Sequence, residues 1–146
     1  MRFGTVYERL QKIGICGDHD VLITGLGPVG MATAAVCRKM GAQRIIGIDV
    51  VPERLELARK LRLYDSVLTA GPSNVSEVLD LTSGRGVERA VDCSANDAAR
   101  AAAIRATRKW GRIVFWVKED ASSSIHRPIS SMTRRQSTAR GSLPRG

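Results

Sequence analysis

Short apolar runs and longer amphipathic stretches take turns along the chain. Val6, Leu10, Ile13 and Ile15 fall at helical spacing and predict a short helix over residues 5–12, broken by Gly14 and Gly17. Val21-Leu22-Ile23-Thr24 is an uninterrupted apolar run between Asp20 and Gly25, the pattern of a strand buried on both faces. The Ala-rich stretch from Met31 to Met40 has helical spacing and stops at Gly41. Residues 45–49 predict a second strand, and Pro52 suits the first turn of the helix that follows it. Strands over residues 66–69, 89–92 and 111–115 then alternate with helices over 74–83 and 97–106. Parallel neighbours need helical crossovers, and those crossovers are right-handed. The expected architecture is therefore an α/β fold with a doubly wound parallel sheet, Rossmann-like, of about five strands.

Composition divides the 146 residues at about residue 116. Residues 117–146 hold six basic and two acidic residues, and from Ala121 onward there is no acid and Ser is frequent. Such a segment buries too little apolar surface to order itself. We expect a dinucleotide-binding domain over residues 1–116 and a disordered, basic Ser/Arg-rich tail over 117–146. The tail has no aromatic residue for base stacking and its Arg residues are scattered, so specific nucleic-acid binding is not expected. No apolar run approaches the roughly 20 residues of a membrane span, and the opening residues show neither apolar run nor cleavage site, so no secretory signal is expected. Cys16, Cys37 and Cys93 are odd in number and widely spaced, which excludes a disulfide scaffold and fits the cytoplasm.

The chemistry centres on Gly25-Leu26-Gly27-Pro28-Val29-Gly30. A lone G-x-G-x-x-G is weak, but this one follows a strand, opens a helix, and precedes an acid at the end of the next strand. Gly25 permits the tight turn, Gly27 lets backbone approach a pyrophosphate, and Gly30 lets helix pack on sheet. The helix N-terminus, with Pro28 and Val29 in its first turn, offers N–H groups to phosphate. Asp49 lies 19 residues after Gly30. A carboxylate there accepts from both ribose hydroxyls of adenosine and repels a 2′-phosphate, so NAD is favoured over NADP. A Walker A loop is excluded because Met31-Ala32 follows Gly30. Methyltransferases share the architecture and stay open on pattern alone.

With these residues assembled, the body resembles the coenzyme domain of the zinc-type, medium-chain alcohol and polyol dehydrogenases. The matching stretches are Gly4-Thr5-Val6-Tyr7, Val21 through Gly30, Asp49 through Ala58, Thr82 through Val87, and Asp92-Cys93-Ser94. The resemblance implies that Asp49 and Arg54 hold the adenosine ribose and that Ser94-Ala95 lies near the nicotinamide. The family usually has Gly where Ala95 stands, and Gly-Ala-Asp where Arg62-Leu63-Tyr64-Asp65 stands. Short-chain dehydrogenases fit poorly, for no Tyr has Lys four residues on.

In this family a separate domain carries a zinc that polarises the alcohol or carbonyl oxygen during hydride transfer. Catalytic zinc needs about three protein ligands. The chain has His19, His126 and three scattered Cys, with no C-x₂-C pair. We therefore expect no metal ligands and no catalytic residues, only a cradle for NAD(H) that is inactive by itself. Two alternatives are a subunit completed by another chain's zinc domain and a nucleotide-binding module without redox chemistry.

The family's fifth strand usually runs into Val-Gly-Glu-Gly, and a sixth begins near Gly-Ser-Trp-Val-Thr. Here Trp116-Val117-Lys118-Glu119 and Ala139 through Pro144 stand at those places. Codons exist for both stretches that encode the family patterns when read one base earlier, so a lost reading frame near Phe115 is expected. Whatever the origin of residues 117–146, the fifth strand is expected to be an exposed edge, open to self-association.

Overall fold

In a computed structural model, residues 3–116 are described. The expectations for residues 117–146 lie outside them. Ten elements alternate: α1 (Phe3–Ile13), β1 (Asp20–Thr24), α2 (Pro28–Lys39), β2 (Arg44–Asp49), α3 (Pro52–Leu61), β3 (Ser66–Thr69), α4 (Asn74–Leu81), β4 (Val87–Asp92), α5 (Asp97–Ala106) and β5 (Thr107–Phe115). The strands form one sheet in the order β3-β2-β1-β4-β5, every pair parallel. This is the doubly wound Rossmann arrangement, with the order reversing on either side of β1.

Burial explains the unbroken apolar runs. Val21 and Ile23 of β1 face a layer that includes Val6 and Leu10 of α1 and Ala34 and Cys37 of α2. Leu22, between them, faces the opposite layer with Val78 of α4 and Ala103 and Ala106 of α5. Both faces of the central strand are covered, so it needs apolar residues at every position. Among the described residues no helix is long and apolar enough to cross a membrane.

The elements stand where periodicity predicts, and the ends differ for local reasons. Helix α2 begins at Pro28, because proline's missing N–H costs nothing at a first helical position. β5 starts at Thr107, directly after α5, and its register against β4 slips between Val87 and Arg89. Trp110, at φ 70° and well exposed, sits inside that irregular stretch, ahead of the strand expected over residues 111–115.

At the entrance to β3 the chain departs from the family's Gly-Ala-Asp. Arg62 takes the left-handed C-cap of α3, at φ 55°, a position that favours glycine. Tyr64 is buried, lies against Gly47 of β2, and donates its hydroxyl to the Gly30 carbonyl at 3.0 Å. A Cβ on Gly47 would come within 2.7 Å of that ring. Asp65 accepts from the Ile45 N–H at 2.8 Å and from Arg38, which ties this segment to β2 and α2.

Candidate functional site

The C-terminal ends of β1, β2 and β4 open into a cleft of about 860 Å³. Such a crevice at the point where strand order reverses is where open α/β sheets hold ligands. Every residue expected to contact cofactor lines it: Gly25, Gly27, Pro28, Val29 and Gly30 at the turn, Asp49 and Arg54 on one side, Ser94 and Ala95 on the other.

Glycine is a steric requirement at two of these positions. A Cβ on Gly25, which sits at φ 89°, would lie 2.7 Å from the backbone of Ser94. A Cβ on Gly30 would lie 2.0 Å from the Gly25 carbonyl oxygen. The turn is thus folded tightly on itself and against the β4 loop, leaving room for a ligand above it. No side chain caps α2, so the N–H groups of Val29 and Gly30 stay open in its first turn. Anionic phosphate is favoured there by those donors and by the helix dipole. The turn therefore fits the pyrophosphate of a dinucleotide.

Asp49 ends β2 and is held in place by backbone. Its Oδ2 accepts from the Leu26 N–H at 2.6 Å, and its Oδ1 from Val50 at 2.6 Å and Val51 at 2.9 Å. The Arg54 guanidinium lies 3.6 Å from Oδ2. Burial is the largest single influence and favours the neutral acid, but the three N–H donors and Arg54 together outweigh it. The carboxyl is held below the usual Asp range and stays ionised at neutral pH. A carboxylate has about four acceptor sites, so three backbone donors leave room for about one more. The acceptor capacity left free lies at Oδ2, on the side that Arg54 also faces.

Asp92 ends β4 and is fully buried. Its Oδ1 accepts from the Thr24 hydroxyl at 2.9 Å, the Ser94 N–H at 3.0 Å and the Ser94 hydroxyl at 2.7 Å. Its Oδ2 accepts from Arg100 Nε at 3.2 Å. The sequence reading noted Asp92 only within a motif and did not single out Arg100 or Thr24. Nothing in linear spacing pairs a strand end with a residue one turn into the next helix. Ala95 follows at φ 57°, and Asn96 caps α5 by accepting from the Ala99 N–H. The glycine the family usually carries at Ala95 is the residue such backbone favours.

Trp116 closes one wall of the cleft. Its backbone N–H donates to the Asp92 carbonyl at 2.8 Å, and Arg9 of α1 stacks over its ring at 4.6 Å. Cys93 also lines the cleft, 3.8 Å from the Thr33 hydroxyl, and burial pushes its thiol up to about 12. Among the described residues no histidine lines this cleft. Catalytic zinc takes about three Cys, His or carboxylate ligands, and the residues here do not fit it.

Comparison with known proteins agrees with this geometry. The family model described as "Zinc-binding dehydrogenase" matches residues 28–145. A zinc-type alcohol dehydrogenase-like protein of Escherichia coli, YphC, is 41% identical over 113 residues, which are 77% of this chain and 32% of that protein. L-threonine 3-dehydrogenase of Pectobacterium atrosepticum is 35% identical over 113 residues, 77% of this chain and 31% of the enzyme. Among solved structures, the alcohol dehydrogenase TADH of Thermus sp. ATN1 superposes with a TM-score of 0.70 at 27% identity, covering 83% of this chain and 35% of the enzyme. The alcohol dehydrogenase of Aeropyrum pernix gives 0.69 at 30% identity, covering 77% and 33%. The chain spans about a third of the length of these relatives. A match over most of the sequence, on the sheet and glycine turn described above, removes the methyltransferase reading: the chain belongs to the zinc-binding dehydrogenase family.

Proposed function

We propose that the cleft binds NAD(H) and that the chain is the coenzyme-binding part of a zinc-dependent alcohol or polyol dehydrogenase. The observation that carries this reading is the placement of an ionised Asp49 beside the open first turn of α2. A hydroxyl donor and a pyrophosphate can be held there together. When bound, NAD supplies the hydride acceptor and NADH the donor.

The chain's own residues bind and orient. Val29 and Gly30 N–H groups face the pyrophosphate. Asp49 takes a ribose hydroxyl at Oδ2, with Arg54 flanking the same oxygen, and its charge disfavours a 2′-phosphate. Thr24, Ser94 and Ala95 border the far half, where the nicotinamide would lie. The described residues lining the cleft provide no base or metal ligand set for the alcohol proton, so in this proposal hydride transfer needs groups from elsewhere.

The test is the affinity of Asp49→Ala for NAD, measured on a sample whose circular dichroism matches the parent. A loss of about tenfold or more supports the reading, in keeping with a hydrogen bond to a charged group. Unchanged affinity would sink it. The out-of-frame origin of residues 117–146 belongs to the same proposal, although the family match running to residue 145 pulls against it. Coding DNA whose neighbouring frame lacks the two family patterns ends that part.

A further inference from the structure

The turn between α1 and β1 gathers three side chains with metal-ligating atoms, at the opposite end of β1 from the cofactor cleft. Cys16 Sγ, an Asp18 carboxylate oxygen and a His19 ring nitrogen all lie within 4.8 Å of one another. We propose that Cys16, Asp18 and His19 form a site for a thiophilic divalent cation of the zinc class. It is separate from the cofactor cleft by the length of β1, about 13 Å for its four residue steps.

The backbone prepares this arrangement. The His19 N–H donates to the Cys16 carbonyl at 3.1 Å, closing a turn that brings residues three apart face to face. Gly17 sits between them, and Gly14 at φ 66° ends the helix before them. The far side of the turn is anchored where the Gln43 N–H donates to the His19 carbonyl at 2.9 Å. Ordering these ligands is therefore largely complete before an ion arrives.

The distances suit a tetrahedral centre. Zinc holds sulfur at about 2.3 Å and imidazole nitrogen at about 2.0 Å, which places sulfur and nitrogen about 3.6 Å apart. Here Cys16 Sγ is 3.8 Å from each ring nitrogen of His19, and an Asp18 oxygen is 4.0 Å from Nε2. Closing a few tenths of an ångström and turning the imidazole aims one nitrogen at the ion. In doing so His19 gives up the Cys16 N–H it now accepts at Nδ1, 3.1 Å away.

The chemistry of the donor set is also right. A thiolate, a carboxylate and a neutral imidazole together carry two negative charges and include the soft ligand that zinc prefers over magnesium or calcium. An imidazole ligates through whichever ring nitrogen is turned to the ion, and both nitrogens of His19 lie 3.8 Å from Cys16 Sγ. Cys16 and Asp18 are exposed, which gives an ion an entry path and leaves a fourth position to water. Linear spacing carries no C-x₂-C pair here; a turn brings these three side chains together instead.

The test is titration of the full, tag-free chain with Co²⁺. Cys37 is buried and Cys93 lies in the cleft, so a cobalt–thiolate band at this site depends on Cys16 alone. The expected result is a near-ultraviolet charge-transfer band with tetrahedral visible bands, both displaced by Zn²⁺. Cys16→Ser should abolish the charge-transfer band. His19→Gln should weaken binding at least about tenfold, the loss already typical of groups that merely support a ligand. NAD affinity should be the same in parent and variants. Absence of a thiolate band in the parent, or its persistence in Cys16→Ser, overturns the proposal.

Discussion

Two buried carboxylates stand at equivalent strand ends on either side of the cleft, and they are held in different ways. Asp49, ending β2, accepts from three backbone N–H groups and has one side chain nearby, the half-exposed Arg54. Asp92, ending β4, accepts from side chains of β1, the β4 loop and α5. The first is a poised group: its local turn orients it and a side of it faces the cleft. The second is a tie, its four contacts spent joining three elements. A carboxylate at a strand end is therefore not by its position a ligand group; the source of its hydrogen bonds decides its role.

That contrast orders the expected consequences of substitution. The largest effect falls on Asp92. Replacing it with Ala strands the Thr24 and Ser94 hydroxyls and the Arg100 charge, and should cost about 3 kcal/mol of stability, read as a lowered denaturant midpoint. If Asp92→Ala were as stable as the parent but bound NAD poorly, the two roles would be reversed. Next comes Asp49→Ala, whose loss should appear in NAD affinity, by about 10- to 100-fold, with a smaller shift in the midpoint. Arg54→Ala follows, at no more than about 1 kcal/mol in binding, since exposed charges contribute little. The smallest effect is Ala95→Gly. It relieves left-handed backbone and should add less than about 1 kcal/mol of stability, read as a slightly raised denaturant midpoint.

Acid separates the two roles further. Because Asp49 has a folded pKa below its ordinary value of 3.8, its contribution to stability is complete above that value and is lost as pH falls through the lower folded one. NAD affinity should therefore show no titration from Asp49 between pH 8 and 5, with decline beginning only below about 4. A loss of affinity near pH 6 that disappears in Asp49→Ala would contradict the bonding described for this carboxylate.

Legibility followed the range of the interactions. Periodicity placed all ten elements because each strand and helix buries a face its own residues define. The glycine turn and Asp49 were readable because a strand, turn, helix and acid in fixed register leave a linear trace. Arg100 on Asp92, Tyr64 beneath Gly30, and Arg9 over Trp116 were not, since each joins residues that spacing alone does not bring together. Tyr64 stands in the segment that departs from the family's Gly-Ala-Asp, and the departure proves to be a packed strut under the glycine turn. The irregular start of β5 was missed because its register is set by pairing with β4, not by local pattern.

The central claim is that this cleft recognises an adenine dinucleotide through Asp49 and the first turn of α2. Calorimetric titration of the intact chain with NAD, NADP and S-adenosylmethionine tests it most directly. The account predicts saturable heat with NAD, markedly weaker binding of NADP because of the Asp49 charge, and none with S-adenosylmethionine. No heat with NAD, or NADP binding as tightly as NAD, would contradict it.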